Sequence, residues 1–245
     1  MLYLANASSP AVRAAMTAGE LGQMCTPNER RAPLPGVIWA ADNGCFNAAR
    51  YVGDDRWLAW LRSHAGAANR CLFATAPDVV GDAVATLTRS APFLPVIREM
   101  GYQAALVAQD GLEHLTVPWD EFDVLFIGGS TEWKLGPAAA QLAIEAKRRG
   151  KRVHMGRVNS LRRLRIAAAI DSDTADGTFI AIAPDTNLPR FRVWMRGLHA
   201  DQRRRTATHV APDAPNVTAL PQVGGVLTVK QPRSESGVSP STPGT

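Results

Sequence analysis

Short apolar runs alternate with helix-like stretches along most of the chain, and this alternation limits the fold more than any other feature. Runs this short and apolar are typical of parallel strands buried on both faces. The alternation predicts a (β/α)8 barrel, with an open doubly wound α/β sheet as the alternative. The predicted strands are 2–4, 21–25, 37–39, 71–73, 105–107, 124–127, 153–155 and 170–172, a further apolar run covers 179–182, and the main predicted helices are 10–18, 54–64, 82–100, 137–149 and 161–169.

Composition predicts a reduced, non-membrane location. The three cysteines, Cys25, Cys45 and Cys71, have no zinc-type spacing, which is typical of unpaired thiols in a reducing compartment. No apolar stretch approaches the roughly 20 residues that a membrane helix needs, and the first residues lack the basic region of a signal peptide. We therefore expect a cytoplasmic protein with no membrane contact. Residues 1–205 are predicted to form the barrel, and 206–245, rich in Pro, Ser and Thr, a largely disordered tail.

The loops that follow the predicted strands carry polar residues and glycines in a consistent series. In barrel enzymes the active site lies at the carboxyl ends of the strands, and glycine there allows a ligand to approach the backbone closely. We therefore expect these loops to form one ring of polar groups. The residues concerned are Asp42 and Phe46, Asp78, Gln109, Gly128 and Gly129, Met155 and Gly156, and Asp176.

The chemistry of this set favours a planar heterocyclic ligand. Asp42, Asp78 and Gln109 offer hydrogen-bond acceptors, and the Gly128–Gly129 amides offer donors, which suits a ring with an amide edge and an exocyclic amine. Phe46 and Met155 are predicted to cover the two faces of that ring. Ordinary core packing is the alternative for both residues.

Arginines crowd the region between 148 and 205, although the net charge of the whole chain is only +5. Such a basic flank favours a phosphate-rich partner, and a solvated helix face is the alternative. The residues predicted to contact nucleic acid are Arg157, Arg162, Arg163, Arg165, Arg190 and Arg192.

Six loop motifs between residues 37 and 178 resemble those of the queuine and archaeosine family of guanine transglycosylases, which exchange guanine for a 7-deazaguanine. Each motif is short, and their order along the chain carries the resemblance. They are Asp42-Asn-Gly-Cys-Phe46, Pro77-Asp-Val-Val-Gly-Asp82, Gln109-Asp-Gly111, Gly128-Gly-Ser130, Met155-Gly156 and Asp173-Thr-Ala-Asp176.

The resemblance implies roles for individual residues. Asp176 would be the nucleophile at the sugar carbon, and Asp42 would manage protons as one base leaves and the other enters. Asp78, Gln109 and the backbone of Gly128, Gly129 and Gly156 would hold the base, with Phe46 and Met155 stacked on it. No metal and no redox cofactor is implied, since the chain lacks the cysteines of the family's zinc site.

The missing zinc site and the short chain resemble the DNA-modifying branch of the family, found in bacteriophages and bacterial modification clusters. The predicted function is therefore a DNA-guanine transglycosylase, a pentosyltransferase that replaces a flipped guanine in duplex DNA by a free preQ0-like base through a covalent Asp176 intermediate. It would act in the cytoplasm, that of the host if phage-encoded, and a homodimer is left open. The alternatives are a minimal tRNA-guanine transglycosylase, a catalytically silent nucleic-acid-binding barrel, and a barrel hydrolase or lyase acting on a small sugar phosphate.

Overall fold

Eight parallel strands close into a barrel in the computed structural model, which describes residues 1–29 and 32–209. Each strand pairs with the next in sequence, and the last pairs back to the first, with Leu4 opposite Asp176. The predicted (β/α)8 barrel is confirmed, and closure rules out the open sheet. The strands are β1 Leu2–Ala5, β2 Gly22–Cys25, β3 Trp39–Ala41, β4 Cys71–Thr75, β5 Ala104–Ala108, β6 Val124–Ile127, β7 Arg152–Met155 and β8 Thr174–Asp176.

Helices cover the outside of the barrel, and several begin at side-chain caps. Ser9, Asp82 and Ser160 each accept a hydrogen bond from a backbone N–H in the first turn of the helix that follows, which satisfies a donor that the helix itself leaves free. The helices are α1 Pro10–Thr17, α2 Asp54–Ser63, α3 Ala83–Ser90, α4 Phe93–Glu99, α5 Thr131–Lys134, α6 Pro137–Arg148, α7 Leu161–Ala169, α8 Phe179–Ile182 and α9 Pro184–His209.

Two predicted elements, one helix and one strand, differ from the structure. The stretch predicted as one helix over 82–100 is two helices, α3 and α4, with Pro92 between them, because proline lacks the N–H that a continuous helix needs at that position. The apolar run 179–182 forms α8 and not a strand. A single helix, α9, also extends beyond the predicted domain boundary at 205, and residues 210–245 of the predicted tail lie outside the described residues.

The last strand lies further along the chain than predicted. Ile170 is the end of α7, where it is buried, and Asp171 turns the chain with a φ of 53°. The strand itself, β8, is Thr174–Asp176, whose composition carries little apolar signal. The prediction failed because the apolar residue before the turn belongs to the helix.

Side chains from the strands form two separate cores. Leu4, Phe73, Val107 and Phe126 are among the residues that fill the barrel interior. Alternate residues on the same strands point outward and pack beneath the helices, as the two-residue period of a strand requires. The described residues contain no helix that is both long and apolar enough to cross a membrane.

Candidate active site at the barrel mouth

The carboxyl ends of the strands bring most of the predicted polar residues together at one mouth. Asp42 follows β3, Asp78 follows β4, Gln109 follows β5, and Asp176 ends β8. The charges of Asp176 and Asp78 both act on the Asp42 carboxyl, so the three acids share one region. The structure therefore brings Asp42, Asp78 and Asp176 together at one mouth.

Asp42 is the acid with the most strongly altered proton affinity at the mouth. Its pKa is raised to about 7: burial is the largest cause, the charges of Asp176 and Asp78 add to it, and the hydrogen bond from the Gly44 N–H at 2.6 Å works against it. A carboxyl with such a pKa holds a proton in a large part of the molecules at neutral pH. Asp42 can therefore donate a proton to a ligand.

Asp78 and Gln109 form the buried floor of one side of the mouth. Asp78 accepts hydrogen bonds from Asn43 Nδ2 at 2.9 Å and from Gln109 Nε2 at 2.7 Å. The Gln109 carbonyl in turn accepts the N–H groups of Gly81 and Gly129. The predicted Gly129 donor is thus already engaged. A carboxylate has about four acceptor positions, so Asp78 can still receive a donor from a ligand.

Asp176 is connected to the barrel interior through His154. Its Oδ1 lies 3.0 Å from His154 Nε2 and 3.2 Å from the Arg157 backbone N–H, which donates to it. The other ring nitrogen of His154, Nδ1, lies 2.8 Å from Thr174 Oγ1. The Asp176 carboxylate is therefore fixed in direction on the side that faces the protein, and about a fifth of its side chain, 21%, remains exposed to the mouth.

Arg157 and Phe46 meet across the opening from two different loops. The guanidinium carbon of Arg157 lies 4.5 Å from the centre of the Phe46 ring, and the same guanidinium donates to the Gly129 carbonyl. Arg157 has a φ of 58°, an unusual conformation for a residue other than glycine. Phe46 is 62% exposed. An exposed aromatic ring beside the carboxylates is a surface on which a planar ligand can stack.

A buried lysine supports the Gly156 loop from below. Lys134 in α5 is 1% exposed, and its Nζ donates to the Gly156 carbonyl at 2.7 Å. The pKa of this amine is lowered to about 7: burial is the largest cause, the charge of Arg157 adds to it, and the charge of Asp176 has the opposite effect. Gly156 itself leaves no room for a side chain, since a Cβ there would lie 2.7 Å from Phe126.

Met155 does not face the mouth. It is completely buried and belongs to the core between the barrel and the helices. Because neighbouring residues of a strand point to opposite faces, His154 faces the barrel interior and Met155 faces outward. The prediction that Met155 stacks on a bound base is corrected by this geometry, and the alternative of core packing holds for it.

The predicted arginine surface is divided among several places. Arg157 and Arg163 lie at the mouth, where Arg163 donates to the Arg157 carbonyl at 3.0 Å. Arg192 forms a two-pronged ion pair with Glu20 at the opposite end of the barrel, with distances of 2.7 and 2.8 Å. Since these groups lie at different ends, the six arginines do not form one continuous nucleic-acid surface. The other three are Arg162 and Arg165, exposed on α7, and Arg190 beside Phe179.

Metal ligands do not cluster in the described part of the chain. Within this part, no group of three or more His, Cys, Asp or Glu side chains is placed to hold a metal ion. The three cysteines are all buried and unpaired.

Comparison with known proteins gives structural matches only. No protein-family model and no curated protein matches the chain. Among solved structures, the Bacillus subtilis YkuI protein, with an EAL domain, in complex with c-di-GMP and calcium, matches with 13% identity and a TM-score of 0.43 over 74% of this chain and 46% of that one. The Xanthomonas citri FimX EAL domain in complex with c-di-GMP matches with 12% identity and a TM-score of 0.39 over 70% of this chain and 65% of that one. The chain thus spans less than two thirds of either structure.

These matches contradict the predicted function. Both are EAL-domain proteins bound to c-di-GMP, a small nucleotide, and neither is a guanine transglycosylase acting on DNA. The prediction of a DNA-guanine transglycosylase is therefore wrong. The correction covers the pentosyltransferase class, the role in DNA modification and the two predicted partners, duplex DNA and a free 7-deazaguanine. At such identities and TM-scores the likeness assigns no ligand or reaction to this chain. The resemblance of the loop motifs is not tested by these matches and stays a prediction.

Sequence reasoning missed three residues of the mouth, namely Asn43, Lys134 and His154. Asn43 lies inside the first loop motif, but its burial, with 3% of the residue exposed, is visible only in the structure. Strand alternation places either His154 or Met155 in the barrel interior, and the sequence does not tell which of the two. Nothing in the sequence around Lys134 distinguishes it from a surface lysine.

Proposed function

We propose that the barrel mouth is the active site of a hydrolase that cleaves the bond between a heterocyclic base and the sugar carbon of a small nucleoside or nucleotide. The observation that carries the proposal is the presence of two carboxylates, Asp42 and Asp176, in different environments at one opening. Pairs of acids whose surroundings separate their proton affinities are the usual basis of acid–base division of labour.

The base would lie against Asp78 and Phe46. The acceptor positions left on Asp78 suit ring N–H or amino donors, and the carboxylate is 6% exposed, so a bound donor would be well shielded from water. Phe46 offers an exposed ring face for stacking. The resemblance of these loops to a family that binds guanine supports this half of the proposal.

The bond to the base would break by acid–base catalysis. Asp42 gives its proton to the ring nitrogen that leaves, and that nitrogen keeps the electron pair of the broken C–N bond. A water oxygen forms the new bond to the sugar carbon, and Asp176 accepts the proton of that water. The negative charge of Asp176 also stabilises the positive charge that develops on the sugar, as in glycoside hydrolysis.

The cationic side of the mouth could bind a phosphate group of the substrate. Arg157 lies next to Asp176, and Arg163 contacts the Arg157 carbonyl. Guanidinium groups are well suited to bind phosphate oxygens. A nucleoside and its 5′-monophosphate are therefore the two arms of the test.

The test is to incubate the purified protein with purine and 7-deazapurine nucleosides and with their 5′-monophosphates, and to measure the free base by chromatography. We expect base release, with one oxygen atom from ¹⁸O-water on the sugar carbon. Asp42→Asn should slow release strongly, whereas Asp123→Asn, remote from the mouth, is the matched control. Absence of base release from every compound, or full activity of Asp42→Asn, would overturn the proposal.

A further inference from the structure

Lys134, at the end of α5, is a lysine enclosed by the protein below the loop that follows β7. It is 1% exposed, although lysine is almost never fully buried unless it is paired. Its Nζ donates a hydrogen bond to the Gly156 carbonyl at 2.7 Å. An apolar side chain would fill the same space without the cost of removing an amine from water, so packing alone does not account for this lysine.

The carbonyl that Lys134 holds belongs to the same peptide unit as the N–H that faces Asp176. The carbonyl of Gly156 and the N–H of Arg157 are two ends of one planar group, and in a trans peptide they point in opposite directions. On its other side, this peptide donates the Arg157 N–H to Asp176 Oδ1 at 3.2 Å. Lys134 and the Asp176 carboxylate therefore hold opposite ends of one peptide, and fixing the carbonyl also fixes the N–H.

The conformation of Arg157 makes the direction of this peptide depend on support. Its φ of 58° lies in the left-handed region, which is unfavourable for a residue that has a side chain. A flip of the peptide would change ψ of Gly156, which glycine tolerates, and would return φ of Arg157 to negative values. The same flip would turn the Arg157 N–H away from Asp176 and the Gly156 carbonyl away from Lys134.

We infer that Lys134 is a positioning residue that holds the Gly156–Arg157 peptide with its N–H on Asp176. This role rests on the proposed function, in which Asp176 accepts the proton of the attacking water. His154 and the Arg157 N–H both engage Oδ1 of the carboxylate, so the direction of its second oxygen, the one left for water, depends on them. Lys134 acts through the peptide and does not touch the substrate.

Hydrogen exchange of two neighbouring backbone amides tests this role without any substrate. Lys134→Met keeps an unbranched side chain but removes the donor, and the Arg157 amide should then exchange about tenfold faster. The Gly156 amide, which donates to the Ile127 carbonyl at 3.1 Å, should keep its rate. Equal acceleration of both amides would reduce the lysine to a general stabiliser, and an unchanged Arg157 amide would show that it does not hold the peptide. Either result overturns the assignment.

The matched control is Lys151→Met, just before β7 at the opposite end of the barrel. Lys151 also donates from Nζ to a backbone carbonyl, that of Phe122 at 2.8 Å, so its loss removes the same kind of contact far from the mouth. Lys134→Met should lower kcat for base release about tenfold with KM changed less than about twofold, because the groups that hold the base are untouched. Lys151→Met should change neither constant, and equal losses of kcat would contradict the assignment.

Arg157→Gly sharpens the test, because glycine adopts a φ of 58° without strain. The hydrogen bond to Asp176 alone then keeps the peptide in place, so adding Lys134→Met to Arg157→Gly should lower kcat by less than about threefold. A tenfold loss in both backgrounds would overturn the role of the lysine. If the Arg157 amide responds to Lys134→Met as expected but no nucleoside releases its base, the positioning stands and the proposed reaction is what fails.

Discussion

Aspartates at the two ends of the barrel have contrasting partners. At the amino-terminal end, Asp123 precedes β6 and Asp173 precedes β8, and each accepts the N–H of the first or second residue of the neighbouring strand, from Ala104 at 2.8 Å and from Val153 at 2.7 Å. Each also pairs with a cation of a covering helix. These cations are Arg98 in α4 and Lys147 in α6.

Among the described residues, neither Asp42 nor Asp176 at the mouth forms an ion pair with a cation of a covering helix. Asp42 accepts a backbone N–H and is otherwise close to other acids, and Asp176 is held by a histidine and a backbone N–H. Asp173 and Asp176 are only three residues apart. Asp173 connects β7 to α6 through its hydrogen bond and ion pair, whereas Asp176 faces the opening. The difference indicates that the catalytic end of the barrel is marked by aspartates without a paired cation, and not by the presence of aspartate alone.

The largest expected effect separates Asp176 from Asp173. Asp176→Asn should lower the rate of base release by about 1000-fold or more, because the amide neither accepts the proton of water nor stabilises positive charge. Its thermal unfolding temperature should change little. Asp173→Asn should leave kcat near that of the unchanged protein. Steady-state kinetics and calorimetry on both variants check this, and equal losses of kcat would remove the distinction between the two ends.

The second prediction concerns stability at the amino-terminal end. Asp123→Ala should lower the free energy of unfolding by about 2 kcal/mol, since Arg98 and the Ala104 N–H both lose a partner. Burial alone would raise the pKa of Asp123, but the Arg98 and Ala104 hydrogen bonds outweigh it and lower that pKa. The contribution is therefore present above the unfolded pKa of about 3.9 and is lost as pH falls through the lower folded pKa. Urea unfolding at pH 7 and pH 3 measures it, and an unchanged difference between the two pH values would contradict it.

The third prediction concerns Asp42 at the mouth, whose ionisation changes the free energy of unfolding in the opposite direction to that of Asp123. Asp42 has a folded pKa of about 7, above its unfolded value, so the charged form opposes folding and the stability of the protein falls as pH rises from 4 to 7. Asp42→Asn should therefore stabilise the fold at pH 8 relative to pH 5, by about 2 kcal/mol. This is less than the ~4 kcal/mol of the full shift because the unfolded carboxyl is already ionised at pH 5, so only the part of the shift between pH 5 and pH 7 contributes. Denaturant unfolding at the two pH values checks the sign, and a loss of stability at pH 8 would contradict it.

The smallest expected effect on the reaction distinguishes the two residues that the sequence suggested for stacking. Phe46→Ala should raise KM about five- to tenfold, equivalent to about 1 kcal/mol, with little effect on stability. Met155→Ala should instead lower the free energy of unfolding by about 3 kcal/mol through a cavity in the core. Kinetics beside thermal unfolding on both variants checks this. A rise in KM confined to Met155→Ala would show that the assignment of the two faces of β7 is wrong.

The barrel and most of its rim could be predicted from the sequence. The alternation of short apolar runs with helical stretches is a local property, and seven of the eight predicted strands overlap the observed ones. Because parallel strands place all their carboxyl ends at one face, the loops with Asp42, Asp78, Gln109 and Asp176 had to come together. This required only the order of the elements.

The tertiary structure is needed to know which side chains face the opening and which partners their charged groups have. A shift of one residue exchanges the two faces of a strand, and the apolar run 153–155 does not indicate whether His154 or Met155 faces inward. Lys134 and the ion pairs of Asp123 and Asp173 depend on contacts between residues about 20 or more positions apart. Burial and partner choice are long-range properties, so they fixed the proton affinities of the mouth after the local pattern had fixed the fold.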